Sequence, residues 1–435
     1  MLSFRAWADL PPELVCRIAD GLDDLKCYAS ARGTCMTWRS TLMPPSPSLL
    51  VDHDDDPDRR CSTTTIKRRT TAVSILARRS FGLNSIPSGQ LCPAARRLFE
   101  LTTTPSVRTC VGCCSGWLAL SVCIDAIRNL LSLFHPVTGA EILLPPLIYE
   151  SRLVSKMVFA PNPTTDDFLA VVICDINRLA YVTAGARRWA VLDPMRLAAG
   201  DQIADLLYHR NGRVYCLTRF GDVHVLCLPE RRRREPIILE SHTSTYPVVH
   251  NKRIFQMHGT GPDLNGPATV ETLLSAVGSN QLFDTATSFD PPYNTISTFT
   301  SANNLVLCDG NLYQIWRNAA GTVNLQLLGG GRCRVAHDEI FVLRFDPQRR
   351  PCWYIVADLR GYSVFVGRNN SMSIYAEDIP GLKGDCVYWI GGRGREQGMV
   401  YDMRTGTSTP CTPFMDGVFL GSPQSTICWY FLTDK

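Results

Sequence analysis

Gly212-Arg213-Val214-Tyr215-Cys216-Leu217 is followed within a few residues by Phe220-Gly221-Asp222-Val223-His224-Val225-Leu226. Both runs are rich in residues that favour extended backbone, and Phe-Gly-Asp between them supplies a turn, so the pair reads as a β-hairpin. Its opening phrase is Gly or Asp, one residue, an aliphatic and then Tyr. The phrase returns at Gly310-Asn311-Leu312-Tyr313 and at Asp385-Cys386-Val387-Tyr388. Working outward, the same grammar of short strands and turns covers most of the chain. Gly116 to Leu120 leads to Leu130 to Phe134 and a turn at His135-Pro136-Val137-Thr138-Gly139. Phe168 to Cys174, Arg178 to Thr183 and Arg188 to Leu192 follow, and Leu305 to Trp316 makes a second hairpin. Ile340 to Phe345 pairs with Cys352 to Ala357, and Cys386 to Ile390 with Gly398 to Asp402. Strand units recurring every 40–50 residues or so are the pattern of propeller blades. The stretch 81–435 has room for about seven, and a two-sheet sandwich is the second choice. Residues 255–300, rich in Gly, Pro, Ser and Thr, fit no blade and read as an inserted loop.

The first 45 residues have a different texture. Asp9-Leu10-Pro11-Pro12-Glu13 reads as a helix start with Asp9 as the cap, Pro in the first turn and an acid where the helix dipole favours it. Leu14, Ile18 and Leu22, widened by Val15 and Leu25, make one apolar face. A second helical stretch carries Ala31, Cys35, Trp38 and Leu42 and ends at Pro44-Pro45. Residues 46–80, with His53-Asp54-Asp55-Asp56, Lys67-Arg68-Arg69 and scattered Ser and Thr, read as a solvated linker.

Composition narrows the function. Of 435 residues, 45% are hydrophobic and 19% charged, which is ordinary for a globular chain. A net charge of +4 calls for neither nucleic acid nor an anionic membrane. No run is long enough to cross a bilayer, and the first residues lack a basic head with an apolar block. The expected compartment is therefore the cytoplasm, the nucleus or both. The 18 cysteines then read mostly as small core hydrophobes. Cys110-Val111-Gly112-Cys113-Cys114 lacks the second Cys or His pair that zinc requires.

Two stretches resemble known families. Trp7-Ala8-Asp9-Leu10-Pro11-Pro12-Glu13-Leu14 through Ile18, with Cys35-x-x-Trp38-Arg39 beyond, is similar to an F-box. The resemblance implies a small all-α module that docks on a Skp-type adaptor of a cullin ubiquitin ligase. It points to Leu10, Pro11, Glu13, Leu14, Ile18 and Trp38 as adaptor-binding residues. One departure is Lys26 to Thr34, which replaces the usual Arg-rich helix and contains Gly33, a cost of about 1 kcal/mol inside a helix. Cys113 to Leu120, Leu133 to Gly139, Leu143-Leu144-Pro145-Pro146, Phe365 to Ser371 and Pro380 to Tyr388 resemble the large plant family that couples an F-box to a KIB-type β-propeller. That resemblance implies an all-β, kelch-like ring of about six to eight blades over 81–435.

Motifs for chemistry are missing from the chain. Gly259 to Gly266 and Gly392 to Arg395 lack phosphate-loop spacing, and there is no Gly-x-Ser-x-Gly elbow or His-Glu-x-x-His pair. Asn369-Asn370-Ser371 spells a sugar acceptor without a secretory route. The expected protein has no catalytic residues, metal or cofactor. It would be the substrate-recognition subunit of a ubiquitin ligase, with an unidentified protein target. Phe283, Phe289, Tyr293 and Phe299 are candidate anchors for that target, since aromatics on a polar loop serve protein interfaces. The alternative is a propeller binding module, lectin or enzyme in which the N-terminal helices are only a cap.

Overall fold

The computed structural model describes residues 7–54, 68–84, 108–123, 128–148, 154–175, 178–192, 202–210, 212–218, 223–228, 238–242, 302–317, 323–326, 332–335, 338–346, 353–391, 397–411 and 424–432. Three helices lead into six β-sheets, which form the blades of a propeller. From the axis outward, blade 1 runs Gln424–Tyr430, Ser48–Asp54, Arg68–Ser74 and Arg79–Gly82. Blade 2 runs Arg108–Cys114, Trp117–Cys123, Arg128–Phe134 and Glu141–Leu143, and Leu147–Ile148 also pairs with its third strand. Blade 3 runs Lys156–Phe159, Leu169–Asp175, Arg178–Thr183 and Ala190–Leu192, and blade 4 Ile203–His209, Arg213–Thr218, Val223–Cys227 and Ile238–His242. Blade 5 runs Ala302–Cys308, Asn311–Arg317, Ile340–Phe345 and Trp353–Ile355, with the hairpin Val323–Gln326 and Arg332–Val335 inserted between its second and third strands. Blade 6 runs Met372–Tyr375, Tyr362–Phe365, Cys386–Gly391, Gln397–Asp402 and Thr407–Pro410. Its second and third strands are parallel; the other blade pairings are antiparallel.

Neighbouring blades pack face to face, and the strand sequences show why. Along Leu169–Asp175, Ala170, Val172 and Cys174 face blade 2, while Leu169, Val171 and Ile173 face blade 4. A strand covered on both faces reads as one continuous apolar run, which is how 168–174 looks. Hairpin turns use left-handed pairs: Ser115 and Gly116 have φ of 48° and 82°, and Asp309 and Gly310 have 48° and 69°. Such turns match the twist of the strands they join.

Four expectations need correction. Residues 46–80 are not a linker, because they contribute the second, third and fourth strands of blade 1. Ser48–Asp54 pairs with Arg68–Ser74 from Ser48–Ser74 to Asp54–Arg68, and Thr70, Thr71 and Ser74 are buried there. Threonine is polar in composition but fits the pleat of a sheet, so a Thr-rich run passes for loop. Six blades stand among the described residues where spacing suggested about seven; the hairpin Val323–Gln326 with Arg332–Val335 is inserted within a blade, so chain length overstates the number of blades. The first helix begins at Pro12 with Pro11 in the cap position, whereas Asp9 lies in a short 3-10 turn, Trp7–Asp9. The second helical stretch is two helices, and Gly33 sits at the cap between them, where it costs little.

Candidate functional site

The three helices are α1 (Pro12–Asp20), α2 (Leu25–Arg32) and α3 (Met36–Thr41). Asp24 caps α2 by accepting a hydrogen bond from the Cys27 N–H at 3.0 Å. Helices this short need tertiary packing to persist. Val15 and Ala19 of α1, with Leu25, Tyr28, Trp38 and Leu42, share one core with Leu50, Ala72 and Phe81 of blade 1 and Leu118 and Leu120 of blade 2. The helices are thus built into the seam between these two blades.

That packing decides which candidates face outward. Leu14 and Ile18 stay 41% and 39% exposed, because Val15 and Ala19 are the side chains that turn inward. Trp7 and Met36 are 67% and 79% exposed, and Pro11 and Glu13 are exposed too. Leu10 packs partly against the core. Trp38 differs from the rest: it is buried, donates from Nε1 to the Trp7 carbonyl at 2.9 Å and meets the Trp7 ring edge-on at 6.3 Å. It supports the surface and does not present itself on it. Phe283, Phe289 and Tyr293 lie outside the described residues, as does Phe299.

Arg79, unmarked by any motif, fastens the helices to the ring. Its Nη1 donates to the Ala19 carbonyl at 2.9 Å, and Nη2 donates to the carbonyls of Asp20 and Leu22 at 3.3 and 3.0 Å. These are end carbonyls of α1 and its turn, where a cation is favoured by the dipole. The guanidinium also lies over the rings of Tyr28 and Phe81, 5.3 and 5.0 Å from their centroids. Burial pushes the Tyr28 hydroxyl pKa up, against the pull of Arg79. Replacing Arg79 with Ala is expected to cost about 2–3 kcal/mol and to raise amide hydrogen exchange in α1 and α2 before it does so in blades 3 to 5. Arg79→Lys should recover only part of this, since an ammonium lacks the planar fork. Unchanged exchange in α1 would remove Arg79 from this role.

A second arrangement lies on the ring axis. The loop from Val366 to Ser371 leaves blade 6 and reaches inner strands on the far side. The Asn370 N–H donates to the Cys113 carbonyl of blade 2 at 2.8 Å. The Asn370 side chain accepts from the Tyr208 N–H of blade 4 at 2.9 Å and donates to the Tyr208 carbonyl at 3.2 Å. Asn304 of blade 5 donates to the Gly367 carbonyl at 3.5 Å. Blades 2 and 4 are not neighbours, so a loop touching both crosses the axis and plugs it. Inner strands have one unpaired edge each, and the Asn370 amide pairs with such an edge as another strand would. Asn369 is fully buried, so the sugar-acceptor spelling lies within the plug. Also on the inner strands, Asp205 accepts from Lys156 Nζ across the seam of blades 3 and 4, and from the Leu305 N–H of blade 5 at 2.7 Å. Burial pushes the Asp205 carboxyl pKa up despite the Lys156 ammonium beside it.

A family model described as the KIB1-4 beta-propeller matches residues 85–408. The chain belongs to that family. In this KIB1-4 propeller the match begins after blade 1, so the helices and the strands beside them lie outside it. No curated protein matches the chain. Among solved structures it is similar to a candidate 6-phosphogluconolactonase from Bacteroides uniformis, at 9% identity over 84% of this chain and 82% of that one, with a TM-score of 0.35. It is also similar to a GH43 glycoside hydrolase with an engineered active site, at 14% identity over 73% of this chain and 51% of that one, with a TM-score of 0.28. The WD40 domain of SCAP from fission yeast follows at 10% identity, over 77% and 78% of the two chains, with a TM-score of 0.24. Scores this low carry no weight for function. Among the described residues of the KIB1-4 propeller, no three His, Cys, Asp or Glu side chains are grouped to hold a metal, and no helix is long and apolar enough to cross a membrane.

Proposed function

We propose that this KIB1-4 propeller is the substrate-recognition subunit of a Skp-cullin-F-box ubiquitin ligase. The helices dock on the Skp-type adaptor, and the ring holds a protein target in the cytoplasm or nucleus. One observation carries the reading: α1 is anchored through Val15 and Ala19 yet leaves Leu14 and Ile18, one helical turn apart, exposed, and Trp7 and Met36 are exposed as well. An apolar stripe on an otherwise anchored helix is the form in which helices present themselves to a partner. If the helices were only a cap over a lectin or enzyme, Leu14 would fill an internal groove, and its exposure argues against that. The sequence offers no acid–base or metal constellation for a catalytic alternative.

The test is calorimetric binding of the full chain to a purified Skp-type adaptor, wild type against Leu14→Asp plus Ile18→Asp. Central apolar anchors of an interface are worth about 2 kcal/mol or more each, so losing both should lower affinity by roughly 700-fold. Both side chains are partly solvated, so the unfolding midpoint should hold. Equal affinity for the two proteins would refute the docking surface.

A further inference from the structure

Of the 44 basic residues in the chain only six are lysine, and the rest are arginine. Among the described residues ten exposed side chains are arginine, and two, Lys26 and Lys383, are lysine. Lys67, Lys252 and Lys435 lie outside the described residues. Lys156 is out of reach, buried in its ion pair with Asp205 at the seam of blades 3 and 4. Some arginines use the shape of the guanidinium. Arg317 donates to Asp338 at 2.7 Å and lies over the Trp389 ring, 4.4 Å from its centroid, a double role that an ammonium fills poorly. Exposed Arg360 makes no such demand: it meets Asp309 at 3.7 Å with both side chains half in solvent, and a lysine would serve there as well. What separates the two residues at such a site is reactivity. A guanidinium stays protonated and is no nucleophile, whereas a lysine amine can lose its proton and attack a carbonyl.

We propose that arginine stands for lysine on this surface so as to withhold acceptors from the ligase's own ubiquitin transfer, leaving Lys383 as the exposed acceptor of the described ring. On the ligase reading given above, on which this proposal rests, the subunit is held on the scaffold within reach of the ubiquitin thioester. It stays there at high effective concentration for longer than any target does. In the transfer, the neutral amine of a lysine attacks the thioester carbonyl carbon. The carbon–sulfur bond breaks, the thiolate of the conjugating enzyme leaves, and the new amide nitrogen gives its extra proton to solvent. Nothing is oxidised or reduced. A guanidinium in the same place leaves the thioester intact for the target. Lys383 is exposed on the loop between Met372–Tyr375 and Cys386–Gly391 of blade 6, while Lys26 lies on α2, among the helices that dock on the adaptor.

The experiment assembles the full chain with a Skp-type adaptor, a cullin scaffold, a conjugating enzyme and ubiquitin, with no target present, and maps the modified lysines by peptide mass. The comparison is a variant in which Arg187, Arg188, Arg210, Arg213, Arg360 and Arg404, all exposed and all outside the helices, are each replaced by Lys. Charge is conserved, so co-elution with the adaptor and the unfolding midpoint should match the wild type. The six added lysines at least double the number that can be reached, so self-modification should rise about two-fold or more. The new lysines should carry much of that ubiquitin. Within the described ring, the wild type should carry it at Lys383 and none at Lys156. Equal rates for the two proteins, or new lysines left bare while Lys383 is modified, would overturn the proposal. A wild-type chain that fails to co-elute with the adaptor before ubiquitin is added would overturn the ligase reading, and this proposal with it.

Discussion

Asp205→Ala should lower stability by about 3–5 kcal/mol, measured as the shift of a urea unfolding transition at constant slope. Asp205 is almost fully buried and serves three blades, accepting from Lys156 of blade 3 and from the Leu305 N–H of blade 5 while belonging to blade 4. Removing its carboxylate strands a buried ammonium and a buried N–H together. Both costs fall on groups that cannot reach water. The paired variant Lys156→Met plus Asp205→Asn tests the reasoning. It removes both charges and leaves an amide oxygen to accept from Leu305, so most of the lost stability should return. If Asp205→Ala costs less than about 1 kcal/mol, the interaction does not hold these inner strands.

The second large effect is expected at Gly112. A Cβ built there would stand 2.0 Å from the Met157 carbonyl oxygen and 3.3 Å from the Ala119 Cβ. The obstacle is backbone of the neighbouring blade, which no rotamer can move. Gly112→Ala must therefore part blades 2 and 3, whose interface is filled by Val111, Leu131, Phe159 and Val172. At least about 3 kcal/mol is expected, the upper end for an overfilled core. Gly310→Ala serves for comparison. Its φ of 69° is strained for Ala, but nothing lies within 4 Å of the new Cβ, so about 1–2 kcal/mol is expected. Equal midpoints for the two variants would mean that blade spacing adjusts freely at Gly112.

These sites show which parts of the structure local sequence could disclose. The hairpin around Asp309 and Gly310 was legible because a left-handed turn demands those residue types between β-formers. The run from 168 to 174 was legible because a strand buried on both faces leaves no polar alternation. Blade 1 was hidden, since Thr70 to Ser74 is polar by composition and its partner Gln424–Tyr430 comes from the far end of the ring. Gly112 was visible as part of a cysteine cluster, but its purpose depends on Met157 of the next blade. The axial plug lay inside a phrase that marked the family, yet Asn370 meets Tyr208 across 162 residues, a separation at which spacing says nothing. In the candidate surface, the helical period found the apolar residues but not which of them the ring would cover. Val15 and Ala19 went inward, leaving Leu14 and Ile18 outside.

The seam of blade 1 also bears on how the protein is made. Gln424–Tyr430 is the innermost strand of that blade, and it pairs with Ser48–Asp54, which the ribosome makes long before it. As the ribosome advances, blades 2 to 5 can assemble in order behind the exit tunnel, while blade 1 waits without its inner strand. The helices wait as well, because Cys428 and Tyr430 are part of the core on which they rest. A chain that stops before Gln424 would therefore have an open ring and loosely held helices. Cells would meet such a product as a client for chaperones, since its newly uncovered apolar seam marks it as unfinished.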